Sequence, residues 1–175
     1  MAEPTAAAEA LSIDLPGPAD TDALGRRLAR RLRRGDVLAL TGDLGAGKTA
    51  LARALIRALA APDGADASAE EGPSPTFTLG QTYDRLGADG TPLQLWHFDL
   101  YRLGAPDEVD ELGWEEALAD GAVLVEWPDR LGARLPGDRL DVALGFDAAG
   151  TGRRAVLQSA ADAWGPRLDA LAADD

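Results

Sequence analysis

A chain of 175 residues with 46% apolar content and no cysteine is long enough to bury one two-sided core around a sheet, and it excludes disulfide frames, thiolate metal sites and cysteine nucleophilic catalysis. The formal charge of −13 opposes direct capture of bare nucleic acid, because polyanion binding rests on lysines and arginines meeting phosphates. No run of about 18 apolar residues is present, and Glu3 and Glu9 stand where a secretory signal would be basic, so a cytoplasmic protein is expected.

In chain order, residues 1–18 read as a flexible Ala/Glu/Pro leader. Asp20 or Thr21 is expected to cap a helix running to Arg34, with Leu24, Leu28 and Leu32 along one face and Gly35 ending it. The opposite face carries Arg26, Arg27, Arg30, Arg31, Arg33 and Arg34. This stripe reads as a solvated helix face, with docking of an acidic partner or RNA as the alternative. Val37–Thr41 is a short apolar run, as expected of a strand buried on both faces of a mainly parallel sheet. A glycine-rich loop follows, then a helix from Lys48 to about Ala60 that buries Leu51, Leu55 and Leu59.

Residues 62–73 mix Pro, Gly, Ala and acid without periodicity and read as a mobile surface insertion. Phe77–Tyr83 and Leu93–Phe98 are strand-like, and Asp89-Gly90 between them predicts a hairpin and an antiparallel portion of the sheet. Asp107–Leu118 reads as helical with a break near Gly113, and Ala122–Glu126 as another buried strand. Pro128 and Pro136 bracket a short turn, Arg139–Phe146 and Arg153–Gln158 form a final hairpin, and a last helix ends near Ala172. The fold expected is α/β, a P-loop NTPase-like three-layer sandwich. Its sheet is mixed but mainly parallel, with an antiparallel hairpin portion and helices on both faces. Residues 19–159 make the domain and 160–175 a C-terminal helix and tail.

Gly42-Asp43-Leu44-Gly45-Ala46-Gly47-Lys48-Thr49 matches G-x-x-x-x-G-K-[ST]. Glycines let the backbone turn its N–H groups toward a β-phosphate, and the helix that follows points its positive end at the same anion. Asp43, Leu44, Gly45, Ala46, Gly47, Lys48, Thr49 and Ala50 are thus the candidate nucleotide contacts. Lys48 reaches the β- and γ-oxygens, and Thr49 offers its hydroxyl to a Mg²⁺ bridging them. Lys48 is also the only lysine beside 16 arginines, which marks it as retained for chemistry and excludes the Asn-Lys-x-Asp guanine-reading motif of Ras-like GTPases.

A P-loop ATPase needs a carboxylate for its metal at the end of a strand near the loop. Asp99, after Leu93–Phe98, and Glu126, after Ala122–Val125, both qualify, since ligands of α/β sheets collect at the C-terminal ends of strands. Thr76, in Ser74-Pro75-Thr76-Phe77, is a candidate γ-phosphate sensor in a switch. His97, the only histidine, reads as a packed or hydrogen-bonded side chain rather than a proton shuttle. Trp127 either stacks on a base or partner or serves as a core anchor like Trp96, Trp114 and Trp164.

GDLGAGKT at 42–49, SPTFTL at 74–79, HFDLYRL at 97–103 and VEWPDRL at 125–131 together resemble the TsaE family of tRNA threonylcarbamoyladenosine biosynthesis ATPases. The likeness covers about residues 21–146. It implies a bacterial cytoplasmic protein that binds ATP with Mg²⁺, hydrolyses it slowly alone, and works with the TsaB and TsaD proteins, meeting tRNA only through that complex. TsaD performs the transfer to adenosine 37. By the same likeness Lys48 matches the phosphate lysine, Thr49 a metal ligand, Thr76 the switch threonine, Asp99 and Glu126 the motif acids, and Trp127 a functional tryptophan. The 62–73 insertion and the tail after about Gly150 depart from the pattern. A P-loop small-molecule kinase and a non-catalytic nucleotide-dependent regulatory module stay open as alternatives.

Overall fold

The structure, a computed structural model, describes residues 10–64 and 79–174. Among them, seven strands form one sheet in the order β1-β7-β6-β2-β5-β4-β3. They are β1 (Leu11–Leu15), β2 (Val37–Thr41), β3 (Gly80–Leu86), β4 (Pro92–Asp99), β5 (Gly121–Glu126), β6 (Leu140–Phe146) and β7 (Arg153–Ser159). The helices are α1 (Pro18–Ala29), α2 (Lys48–Ala58), α3 (Trp114–Asp120) and α4 (Gly165–Ala172). The pairings β6–β2, β2–β5 and β5–β4 are parallel, and β1–β7, β7–β6 and β4–β3 are antiparallel. The parallel character expected of the sheet therefore belongs to its four-strand centre, and both margins are antiparallel.

Period-2 alternation divides the core. Leu38 and Leu40 of β2 join Leu24 and Leu28 of α1, Leu51 and Leu55 of α2 and Leu168 and Leu171 of α4 on one side. Val37 and Ala39 pack with Phe98, Trp114, Val123 and Leu131 on the other. A strand covered on both faces has no polar alternation, which is why β2 and β5 read as continuous apolar runs. Helices α1 and α2 meet so closely that a Cβ on Gly25 would lie 2.5 Å from Ala54 Cβ.

Several expectations need correction. Residues 11–15 are not a flexible leader: Leu11, Ile13 and Leu15 alternate with Ser12 and Asp14, and β1 pairs with β7. Helix α1 starts at Pro18, not after Asp20 or Thr21. Proline at the first helical position needs no N–H partner, and the Asp20 carboxylate accepts the Gly17 N–H at 2.8 Å. It also ends at Ala29 rather than Arg34. The chain tightens there into a turn closed by Arg31 N–H to Leu28 O and by Arg33 N–H to the Asp36 carboxylate. Leu32 stays buried beyond the helix.

The arginine stripe divides in two. Arg27 donates to Leu171 O, and Arg31 donates to Ala170 O and to Asp174, so both hold the carbonyl end of α4, where cations are favoured. Arg167 of α4 returns a bidentate pair to Asp36 at 2.6 and 2.9 Å. Arg26, Arg30, Arg33 and Arg34 are exposed, and Arg34 pairs with Asp120.

The β3–β4 hairpin turns at Asp89-Gly90, with the Asp89 carboxylate accepting from both Thr91 N–H and Thr91 hydroxyl. Strand β3 begins at Gly80, past the expected Phe77, which lies outside the described residues. Gly113, at φ 85, separates a 3₁₀ segment over Pro106–Leu112 from α3. Of the expected insertion only 62–64 falls within the described residues.

Candidate nucleotide site

The loop between β2 and α2 is shaped by glycines at positive φ, a conformation other residues rarely adopt. Gly42 has φ 142, and a Cβ there would meet Leu144 O at 2.3 Å. Gly47, at φ 105, is the N-cap of α2, so the first turn of that helix opens straight onto the loop with its N–H groups free to meet an anion. Leu44 stands at the loop's tip, 67% exposed. Arg153 of β7 donates to Gly45 O at 3.0 Å, with its guanidinium 4.2 Å from the Phe146 ring centroid, which ties the loop to the β6–β7 hairpin.

Lys48 is buried, and its ammonium donates to Gly42 O at 2.5 Å and Asp43 O at 2.9 Å. Its Nζ lies 4.3 Å from the Trp127 ring centroid, within cation–π range. Burial pulls the Lys48 pKa below the ordinary lysine value, while the negative charges of Glu126, Asp99 and Asp43 push it up. The Lys48 ammonium group thus lies beneath an aromatic cover, on carbonyls that a phosphate oxygen can replace.

Next along α2, the Thr49 hydroxyl donates to Glu126 Oε1 at 2.7 Å. Glu126 ends β5 and is 1% exposed; its other oxygen, Oε2, lies 2.8 Å from His97 Nε2. Asp99 ends β4 directly beside Glu126 in the parallel ladder and accepts the Tyr101 N–H at 3.2 Å. The parallel centre of the sheet is what brings these groups together, since β2, β4 and β5 all finish at the same edge.

A cavity of about 270 Å³ opens between Gly45, Lys48 and Thr49 on one side and Asp99, Tyr101, Glu126 and Trp127 on the other. A second, of about 470 Å³, lies beside it, lined by Gly17, Thr21, Gly47, Ala50, Arg53 and Arg153 among others. Ala46 is buried inside the loop, its N–H donating to Asp43 O at 3.0 Å. Trp127 has φ 58 and ψ 52, unusual for a bulky residue and disfavoured before Pro128. Such strain persists where the surroundings impose it; here the ring leans on Tyr101, 5.0 Å between centroids.

Of the expected site residues, Asp43, Leu44, Gly45, Ala46, Gly47, Lys48, Thr49, Ala50, Asp99, Glu126 and Trp127 all gather at this end of the sheet, while Thr76 lies outside the described residues. Trp127 faces Lys48 and Tyr101 rather than the second cavity. Sequence reasoning missed Tyr101 and Arg153. Tyr101 sits within HFDLYRL, two residues from Asp99; nothing local marks Arg153. The donors near Thr49 are a hydroxyl and two carboxylates, all oxygen, which suits a small hard cation that keeps its remaining positions for phosphate and water. No cluster of three or more His, Asp or Glu side chains competes for a metal among the described residues.

The model of the family described as Threonylcarbamoyl adenosine biosynthesis protein TsaE matches residues 15–155. The chain belongs to the TsaE family. A TsaE from Streptomyces coelicolor is 39% identical over 146 residues, covering 81% of this chain and 91% of that protein. One from Mycobacterium tuberculosis is 41% identical over 138 residues, covering 74% of this chain and 76% of its own. The crystal structure of YdiB from Bacillus subtilis superposes with a TM-score of 0.70 at 27% identity, covering 94% of this chain and 95% of that one. Membership of the TsaE family assigns the chain to tRNA threonylcarbamoyladenosine biosynthesis. No helix among the described residues of this TsaE-family chain is long and apolar enough to cross a membrane.

Proposed function

We propose that the chain is a cytoplasmic Mg²⁺-dependent ATPase, slow alone, whose nucleotide cycle supports threonylcarbamoyl addition to adenosine 37 of tRNA together with TsaB and TsaD. TsaD carries out the transfer, and tRNA is met through the complex. The observation that carries this reading is the Thr49–Glu126 hydrogen bond of 2.7 Å, one residue from a buried Lys48 at the N-terminus of α2. Phosphate lysine, metal hydroxyl and metal carboxylate are then within reach of one triphosphate.

In this reading the N–H groups from Gly45 to Ala50 cradle the β-phosphate, and Lys48 turns from the Gly42 and Asp43 carbonyls to the β- and γ-oxygens. Thr49 and Glu126 would hold Mg²⁺, which would supply charge neutralisation to the triphosphate. Asp99, opening onto the same cavity, orients water at the γ-phosphate. Thr76 serves as the γ-phosphate switch by resemblance to the family. Trp127 covers Lys48 and shields the phosphates, and the second cavity beside Ala50 takes the nucleoside, so Trp127 is a lid over the phosphate site rather than a base stacker.

Phosphate release from ATP with Mg²⁺ tests this, measured alone and with TsaB plus TsaD from the same source, with Lys48→Ala as control. Stimulation by the pair that is lost in Lys48→Ala is the expected result. Phosphate transfer to a small acceptor without stimulation would replace the reading with a kinase, and nucleotide binding without turnover would replace it with a regulatory module.

A further inference from the structure

We propose that His97 is a positioning residue: it fixes the Glu126 carboxylate so that Oε1 faces Thr49 and the metal side of the nucleotide site. This rests on the reading of that site as a Mg²⁺–ATP site.

Glu126 and His97 are each 1% exposed. A carboxylate buried to that degree is costly unless its oxygens find donors. Glu126 has one donor per oxygen, and the two come from different elements: the Thr49 hydroxyl at the first turn of α2 and the His97 imidazole on β4. In the β4–β5 ladder Asp99 stands opposite Glu126 and His97 opposite Leu124. His97 and Asp99, two residues apart, share a face with Glu126, and the imidazole reaches diagonally across the ladder to Oε2. Asp99 opens onto the nucleotide cavity, whereas His97 is absent from its lining. Two similar strand positions thus carry different duties: one carboxylate meets the cavity, and one ring stands behind the other carboxylate.

With Glu126 as a carboxylate, which only accepts, this contact assigns the N–H to Nε2. With that bond made, rotation of the carboxylate about its last torsion would cost a buried hydrogen bond. Swinging Oε1 away from Thr49 therefore breaks the His97 bond as well as the Thr49 bond. Without the imidazole, Oε2 loses its donor and the carboxylate can turn. Groups that orient a metal ligand from behind typically contribute 10–100-fold to metal affinity.

Binding of a non-hydrolysable ATP analogue, measured by titration calorimetry with Mg²⁺ and with chelator, separates this role from a merely structural one. In His97→Ala, affinity without Mg²⁺ is expected to stay within about twofold of the wild type. The Mg²⁺ concentration needed to restore tight binding should rise by roughly 10–100-fold. His97→Gln, whose amide nitrogen reaches about where Nε2 stands, should recover most of that loss. Equal weakening with and without Mg²⁺, or no recovery by glutamine, overturns the proposal, as does unchanged Mg²⁺ dependence in His97→Ala. If His97→Ala does not fold, His97→Gln and His97→Asn carry the test: the longer amide should keep Mg²⁺ affinity and the shorter lose it, and equal affinities overturn the idea. A wild-type chain whose analogue binding ignores Mg²⁺ would refute the magnesium reading itself, and this inference with it. Mg²⁺-dependent wild-type binding alongside an indifferent His97→Ala removes only the role of His97.

Discussion

Replacing Glu126 with glutamine removes a charge while nearly preserving a shape, and the two contacts of the carboxylate make the outcome calculable. Oε1 accepts from Thr49 at 2.7 Å and Oε2 meets His97 Nε2 at 2.8 Å. A glutamine puts an NH₂ at one of those places. The Thr49 hydroxyl can rotate to accept, and an imidazole can present its bare nitrogen by changing tautomer, so one contact inverts without being lost. The expected stability change is about 1 kcal/mol or less, a melting shift of about 2–4 °C at this chain length. Glu126→Ala differs, because buried His97 Nε2 loses its partner at about 1–3 kcal/mol. Hydrolysis should respond differently. On the proposed Mg²⁺–ATP reading, loss of the negative charge removes a metal ligand and a preorganised partner of the transition state, and turnover should fall roughly 10²–10³-fold. Thermal melts and single-turnover phosphate release on both variants check this. A Glu126→Gln variant that hydrolyses ATP within about threefold of the wild type, or that melts as low as Glu126→Ala, would refute the reasoning.

Gly25→Ala forces a methyl to within 2.5 Å of Ala54 Cβ and 2.8 Å of the α2 backbone; α1 must shift off α2, at about 1–3 kcal/mol for overpacking, and a melt unchanged within a degree would show that the helices yield freely. Arg167→Ala leaves Asp36 without its bidentate partner, in a pair whose side chains are only 7% and 10% exposed; removing one member of such a pair costs about 3–5 kcal/mol, and denaturant unfolding should show it. The lowered Lys48 pKa gives a pH prediction with a definite sign. The folded chain releases this proton at lower pH than the unfolded one, so the cost of burying the ammonium is fully present below the folded pKa and fades as pH rises toward the unfolded value. Analogue affinity moves the opposite way, because the triphosphate needs the ammonium: it should fall as pH climbs through the lowered pKa. Glu126→Gln, which deletes a charge that raises the pKa, should move that fall to lower pH; an alkaline limb at the same pH in both proteins would disprove the coupling.

Much of the fold was legible because its signals are local. The β2–loop–α2 sequence, the Asp89-Gly90 hairpin and the break at Gly113 are each written within a dozen residues by apolar periodicity and turn chemistry, and the observed elements follow them closely. Strand β1 escaped notice for the complementary reason. Its five alternating residues adjoin an Ala-rich stretch, and what makes them a strand is β7, about 140 positions away. The end of α1 was misplaced because leucine spacing continues to Leu32, whereas the backbone turns where Asp36 captures the Arg33 N–H.

The same division runs through the site. The sequence by itself determined the glycine-rich loop between β2 and α2 and marked it as the candidate phosphate loop, since glycine, lysine and threonine at those intervals meet a requirement of backbone geometry and charge that few other arrangements satisfy. It also marked Asp99 and Glu126 as acids at strand ends. Only the tertiary structure decided that Glu126 bonds Thr49, that His97 stands behind Glu126, that Trp127 lies over Lys48, and that Arg153 ties the loop from β7. Those partners are separated along the chain by 77, 29, 79 and 108 positions. Strand order and ladder register bring them together, and register is set by the burial of whole strands rather than by any residue near the site.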